Sequence, residues 1–177
     1  MIGVEFFDIS DTARLREAVA LRVRVFVEEQ GFPLAEECDE HDRIDRTAVH
    51  VLARDAGTDL DTGTDLDTGS VLGTGTVLGT GSVLGTGRFF VEEPGTVRIG
   101  RLAVLREARG RGVGSLLLAA LLAEAARRRN ARAVLLAQMQ ARDFYLRAGF
   151  RDDGCPLWDL SVLHQPMAKP LEPGEGG

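Results

Sequence analysis

The chain has 177 residues, 44% hydrophobic and 27% charged, with 21 Lys and Arg against 27 Asp and Glu for a formal charge of −6. This length supports one globular domain with its own core, and the acidic balance excludes a general nucleic-acid binder. Cys38 and Cys155 have neither metal spacing nor the density of a disulfide scaffold, and the longest apolar run, "LLLAALLA" at 116–123, is too short to span a bilayer.

The opening "MIGVEFFDIS" lacks a basic region followed by an apolar stretch, so no secretion signal is read and the expectation is a cytoplasmic protein without membrane association. "VEFFDI" (4–9) reads as a first strand. From Ser10 or Asp11, both good capping residues, a helix is predicted to Gln30 with Leu15, Val19 and Phe26 along one side. Gly31 and Pro33 end it, an acidic loop "EECDEHDRID" (36–45) follows, and "AVHVLARD" (48–55) is a strand.

Hexads then repeat from Thr58 to Gly87: TDLDTG twice, then SVLGTG, TVLGTG and SVLGTG. No helix follows to complete a phosphate-binding loop. Leu-Gly followed by Ser or Thr fits the code of left-handed β-helix acyltransferases, but so few hexads stack too few turns to bury a core. The reading that suits the flanks is tandem copying of the start of one strand. Six is even, so every copy presents the same face, and only Val83–Arg88 continues into Phe89 and Phe90. That copy is expected to join the sheet, with residues 57–82 as a low-complexity insert.

After a turn at "EEPG" (92–95), "TVRIGRLAV" (96–104) is a strand whose apolar alternation changes phase between Ile99 and Leu102, which predicts a β-bulge near Gly100. "REARGRGVGS" (106–115) opens a strongly apolar helix that runs to Arg129. "AVLLAQ" (133–138) reads as a buried, parallel strand, and "QARDFYLRAGF" as a short helix closed by Gly149 with Ala141, Phe144, Tyr145 and Ala148 on one face. Further strands are expected between Phe150 and His164, and residues 169–177 as a disordered tail.

"RGRGVGS" stands between a strand and a helix, where backbone N–H groups and the helix dipole favour an anion. A merely flexible helix start is the bland alternative. It is neither a P-loop nor G-x-G-x-x-G. The stretch resembles the Q/R-x-x-G-x-G/A motif of the GNAT superfamily of acetyl-CoA-dependent N-acetyltransferases, in which the motif follows a bulged strand. "QMQARDFYLRAGF" (138–150) resembles that family's N-x-x-A-x-x-F-Y-x-x-x-G-F segment, with Gln138 for Asn. "LRVRVFVEEQGFP" (21–33) with "DEHD" (39–42), and "DLSVLHQPM" (159–167), are similar to patterns of its ElaA-like branch, Ser161 standing where Gly is usual and Leu160 where an acid is usual.

The resemblance implies one α/β (α+β) domain over residues 4–168: a mixed, mostly antiparallel sheet splayed at the bulge, with helices on both faces. It implies acetyl-CoA as donor, held by Leu102, Ala103 and Val104 of the bulged strand, by Arg109, Gly110, Arg111, Gly112, Val113, Gly114 and Ser115 of the loop, and by Gln138. Tyr145, the chain's single tyrosine, occupies the family's general-acid position; a core aromatic on a helix face is its ordinary alternative. Glu29 and Asp42 are candidate bases in an acidic rim with Glu28, Asp39 and His41, a rim that a solvated charged loop would also explain, and a water relay can replace either. His50 and His164 match family positions but read as structural. No metal is indicated. The acceptor is expected to be a small-molecule or peptide amine and the protein a monomer or homodimer, with a non-catalytic acyl-CoA-binding module as the alternative.

Overall fold

A computed structural model of the chain describes residues 1–45, 47–55, 81–159 and 161–172. In chain order the elements are β1 (Ile2–Phe7), α1 (Thr12–Arg22), a π-helical segment (Val23–Glu29), β2 (Val49–Asp55), β3 (Val83–Glu93), β4 (Thr96–Val104), α2 (Val113–Arg127), β5 (Arg132–Gln138), α3 (Arg142–Arg147), β6 (Arg151–Asp152), β7 (Leu157–Asp159) and β8 (Val162–Pro170). One sheet has the order β1-β2-β3-β4-β5-β8-β6, with β7 on β8. Every described pairing is antiparallel except β4 with β5.

The alternation along β2 explains why helices cover both faces. Leu52 packs with Phe7, Ala18 and Leu15 under α1, while Val51 and Ala53 belong to the larger core with Leu117, Leu118 and Leu121 of α2. β2 is accordingly buried along nearly its whole length. Gly85 and Gly87 of β3 let α2 approach closely. A Cβ at Gly85 would sit 2.9 Å from both Ala103 O and Leu117 Cδ1, and one at Gly87 would sit 3.0 Å from Leu102 and Leu121. Gly85→Ala is therefore expected to cost about 1–3 kcal/mol by overpacking, read as a lower urea midpoint at unchanged slope.

The copy of the hexad at Val83–Arg88 does enter the sheet: it pairs with β2 and β4 and runs on through Phe89 and Phe90. Ser82 is already in the hairpin, its carbonyl accepting from Asp55 N at 3.0 Å. Apart from Gly81, the earlier copies lie outside the described residues. Pro94 and Gly95, the latter at φ 82°, make the tight turn into β4. The bulge is present. Arg88 faces Gly100 and Thr86 faces Ala103, so Arg101 and Leu102 together oppose Gly87. Arg101 takes φ 51° there, an uncommon conformation for a side chain with Cβ. The extra residue returns Leu102 to the α2 side after Val97 and Ile99, which is the purpose of the phase change.

Two expectations are corrected. The helix predicted over residues 10–30 is α-helical only to Arg22 and then π-helical to Glu29. Its buried side is Ala18, Leu21, Arg22 and Val25, with Leu15, Val19 and Phe26 only partly buried. The small Ala18 fits against Leu52, and Arg22 is buried because carboxylates meet it. Asp11 caps the helix as predicted, accepting from Arg14 N at 3.0 Å. At the other end, the strand does not stop at Ala168. Lys169 and Pro170 complete β8, Lys169 Nζ donates to Ala148 O at 2.6 Å, and Leu171 N donates to Ala131 O at 2.8 Å. Residues 173–177 of the predicted tail lie outside the described residues.

Candidate active site

β4 and β5 run together only from Thr96–Arg98 against Arg132–Val134. Beyond Arg98 they diverge, leaving an open edge on β4. Leu105 N turns toward β3, donating to Leu84 O at 3.0 Å. Because strand backbone groups alternate in direction, the N–H and C=O of Val104, and of Leu102 two residues earlier, face the opening. Ala103 lies between them with its side chain buried.

The glycine loop closes the top of this opening. Gly110 and Gly112 adopt φ 75° and 80°, with open space where each Cβ would stand. Gly112 caps α2 with no side-chain hydrogen bond, so the first-turn N–H groups at Val113, Gly114 and Ser115 have no intrahelical acceptor. Val113 is buried and anchors the turn, while Arg109, Gly110, Arg111, Gly112 and Ser115 are exposed. Uncapped N–H groups at the positive end of a long helix, with glycines that clear the approach, fit a phosphate-bearing ligand. Arg111 pairs with Asp55 at 3.1 Å.

α3 forms the wall beside the loop. A Cβ on Gly114 would lie 3.6 Å from Phe144 Cζ and 3.7 Å from Val104 Cγ2, so α2, α3 and the end of β4 meet at one point. Tyr145 follows Phe144, its ring edge-on to Phe144 at 5.0 Å and to Phe150 at 5.9 Å. Its hydroxyl has no hydrogen-bond partner among the described residues, and burial pushes the phenol up to about 12. Gln138, at the end of β5, donates to Gln30 Oε1 at 2.9 Å and accepts from Gln140 at 2.8 Å.

The two carboxylates expected as bases are engaged elsewhere. Asp42 is buried and accepts two hydrogen bonds from Arg22, at 2.9 and 2.8 Å. Arg88 Nη1 lies 2.8 Å from the same carboxylate without hydrogen-bond alignment. Arg22 also binds the Glu37 side chain and, at 2.9 Å, its carbonyl; Arg88 binds Asp39; and Arg101 reaches Glu36 O at 2.7 Å and Asp39 at 3.3 Å. Burial alone would raise the Asp42 carboxyl, but Arg22 and Arg88 outweigh it and hold it well below the carboxylate range. Such a group is a poor proton acceptor. Glu29 is paired with Arg109, whose hydrogen bonds lower its carboxyl too. The expected acidic rim is thus largely an internal ion-pair lattice tying the 36–42 loop to the bulge.

His41 Nδ1 donates to Asp45 at 2.7 Å, and the ring stacks on Phe90 at 3.5 Å. His50 is buried, its Nε2 donating to His41 O at 3.2 Å, and burial lowers its pKa. His164 stands on β8 directly opposite Gln138 of β5. Its Nδ1 donates to Val162 O at 2.9 Å, which leaves Nε2 as the nitrogen with the lone pair. The sequence alone reads this histidine as structural; the register sets it beside Gln138. Among the described residues no group of three or more His, Cys, Asp or Glu side chains is placed to hold a metal ion, and no helix is long and apolar enough to cross a membrane.

A mixed sheet splayed at a bulge, with a glycine-capped helix over the gap, defines an acyl-CoA N-acyltransferase fold. Residues 33–150 match the model of the acetyltransferase (GNAT) family, and the chain belongs to that family. Solved structures with the same fold include Escherichia coli ElaA (TM-score 0.73, 22% identity, covering 96% of this chain and 99% of that one). An acyl-CoA N-acyltransferase from Pseudomonas aeruginosa is similar at TM-score 0.73 and 24% identity, with 96% and 99% covered. The ribosomal-protein-S18-alanine N-acetyltransferase of Escherichia coli matches at TM-score 0.67 and 17% identity, with 99% and 97% covered. The family's chemistry is acyl transfer from an acyl-CoA donor.

Proposed function

We propose that this protein transfers an acetyl group from acetyl-CoA to a primary amine, on a small molecule or a peptide, by direct attack. The observation that carries the proposal is the meeting of Val104, Gly114 and Phe144 at one point, which brings the open edge of β4, the uncapped turn of α2 and Tyr145's helix to one opening. The bound donor supplies the thioester. Gly110–Ser115 bind its pyrophosphate through backbone N–H groups, and Gln138 orients the pantetheine arm. The N–H groups of Leu102 and Val104 stabilise negative charge as it develops on the carbonyl oxygen.

The N–C bond forms first, with the charge on the carbonyl oxygen, and the C–S bond then breaks. A protonated alkylamine, with a pKa near ~10.4, must first lose a proton, and with Glu29 and Asp42 held in ion pairs we assign that proton to His164 Nε2, directly or through water. Tyr145, whose phenol burial keeps protonated in the resting site, gives a proton to the departing sulfur, and the second proton of the acylated nitrogen returns to the Tyr145 oxygen through water, so the phenol is restored. The test is a panel of amines assayed for thiol release from acetyl-CoA. Amine-dependent release is the expected result. Coenzyme binding with no turnover on any amine would favour the non-catalytic acyl-CoA-binding module instead.

A further inference from the structure

Glu29 poses a problem at this site, because a carboxylate beside a phosphate-binding loop repels the ligand. Its geometry suggests why it is there. Arg109 Nη1 and Nη2 donate to the two Glu29 oxygens at 2.6 and 2.8 Å, a bidentate pair, while Arg109 Nε donates to Val104 O at 3.1 Å. The guanidinium thereby joins three pieces of chain: the end of the π segment, the end of β4 and the first residue of the glycine loop. One N–H on each terminal nitrogen is left over. Arg106 lies 3.6 Å from the same carboxylate. A second pair, Arg24 to Glu107 at 3.1 Å, ties the π segment to the same turn. The π segment matters because its wider turn rotates its last residues relative to their place on an α-helix, and Glu29 is the final one.

We propose that Glu29 is a positioning residue for the coenzyme. Through Arg109 it holds the Gly110–Gly114 backbone in the conformation that receives the pyrophosphate. This rests on acyl-CoA being the donor. A bidentate Arg–carboxylate pair fixes orientation as well as distance, so a loop that owes its shape to the pair loses it when either partner is removed.

Calorimetric titration of coenzyme A and of acetyl-pantetheine, which lacks the pyrophosphate, tests the proposal on the wild type, Glu29→Ala, Arg109→Ala and the double variant. Each single variant is expected to bind coenzyme A about tenfold more weakly, with acetyl-pantetheine affinity within about twofold of wild type. The double variant should be no weaker than either single one, because the two residues act as a unit. Equal or tighter coenzyme A binding by Glu29→Ala, the result that simple charge repulsion predicts, overturns the proposal. So does an equal loss for both ligands. A wild type that binds no coenzyme A overturns both this role and the acetyl-transfer reading, whereas binding that is indifferent to Glu29 removes only the role.

Discussion

Tyr145→Phe is expected to lower single-turnover acetyl transfer by roughly 10²–10⁴-fold, the range for loss of a positioned proton donor, while coenzyme A affinity stays within about twofold of wild type. The substitution is clean because of what surrounds the ring. Phe144 and Phe150 pack edge-on against it, and a phenylalanine keeps both contacts. The hydroxyl has no partner among the described residues, so its removal leaves no buried group unsatisfied and thermal stability should hold or rise slightly. The pH dependence separates this role from others. Burial pushes the phenol up to about 12, so Tyr145 contributes no fall in rate below about pH 10. Any acidic limb belongs to the group that takes the amine's proton and should persist in Tyr145→Phe. An unchanged single-turnover rate would remove Tyr145 from the chemistry.

The elements around this tyrosine were legible from sequence for definite reasons. A bulge leaves a phase error in an alternating strand, and "TVRIGRLAV" carries one. An even-numbered repeat preserves the face of a strand, so the copy continuous with Phe89 and Phe90 had to be the one in the sheet. Strand-loop-helix context distinguished "RGRGVGS" from the more conspicuous "GTG" hexads. The carboxylates were not legible, because a charged loop has the same composition whether it borders solvent or binds arginines. Arg22, Arg88 and Arg101 come from three elements, and only the topology brings them to Asp39 and Asp42. The same blindness hid the most buried of α1's charged side chains, Arg22. Apolar spacing selected Leu15, Val19 and Phe26, since hydrophobicity cannot anticipate an arginine at 1% exposure. One signal was available: the pairing of "LR" in the helix with "DEHD" in the loop suits an internal lattice as well as a substrate rim.

Asp42→Asn tests that lattice, with an expected loss of about 3–5 kcal/mol, the usual cost of removing one partner from a buried ion pair. The asparagine has nearly the same shape, so packing is preserved and the change is electrostatic. Arg22 would lose the charge that accepts at 2.9 and 2.8 Å, and the new amide would direct N–H donors at a guanidinium. Arg88 would keep Asp39 as its one ion-pair partner among the described residues. For a domain of this size each kcal/mol shifts Tm by about 2–4 °C, so the melting temperature should fall by about 6–20 °C at neutral pH. The effect should depend on pH with a definite sign. The folded carboxyl is held below its unfolded value of about 3.9. Its contribution is therefore fully present above about pH 5 and is lost as pH falls from there toward the folded value. The difference in Tm between wild type and Asp42→Asn should accordingly be constant from about pH 6 to 8 and shrink below about pH 4. Asp39, lowered in the same direction, steepens the acid limb of the wild type. A Tm difference that stays constant down to pH 3, or a variant as stable as wild type at pH 7, would mean that Asp42 is not a charged member of the lattice and would make it a candidate base again.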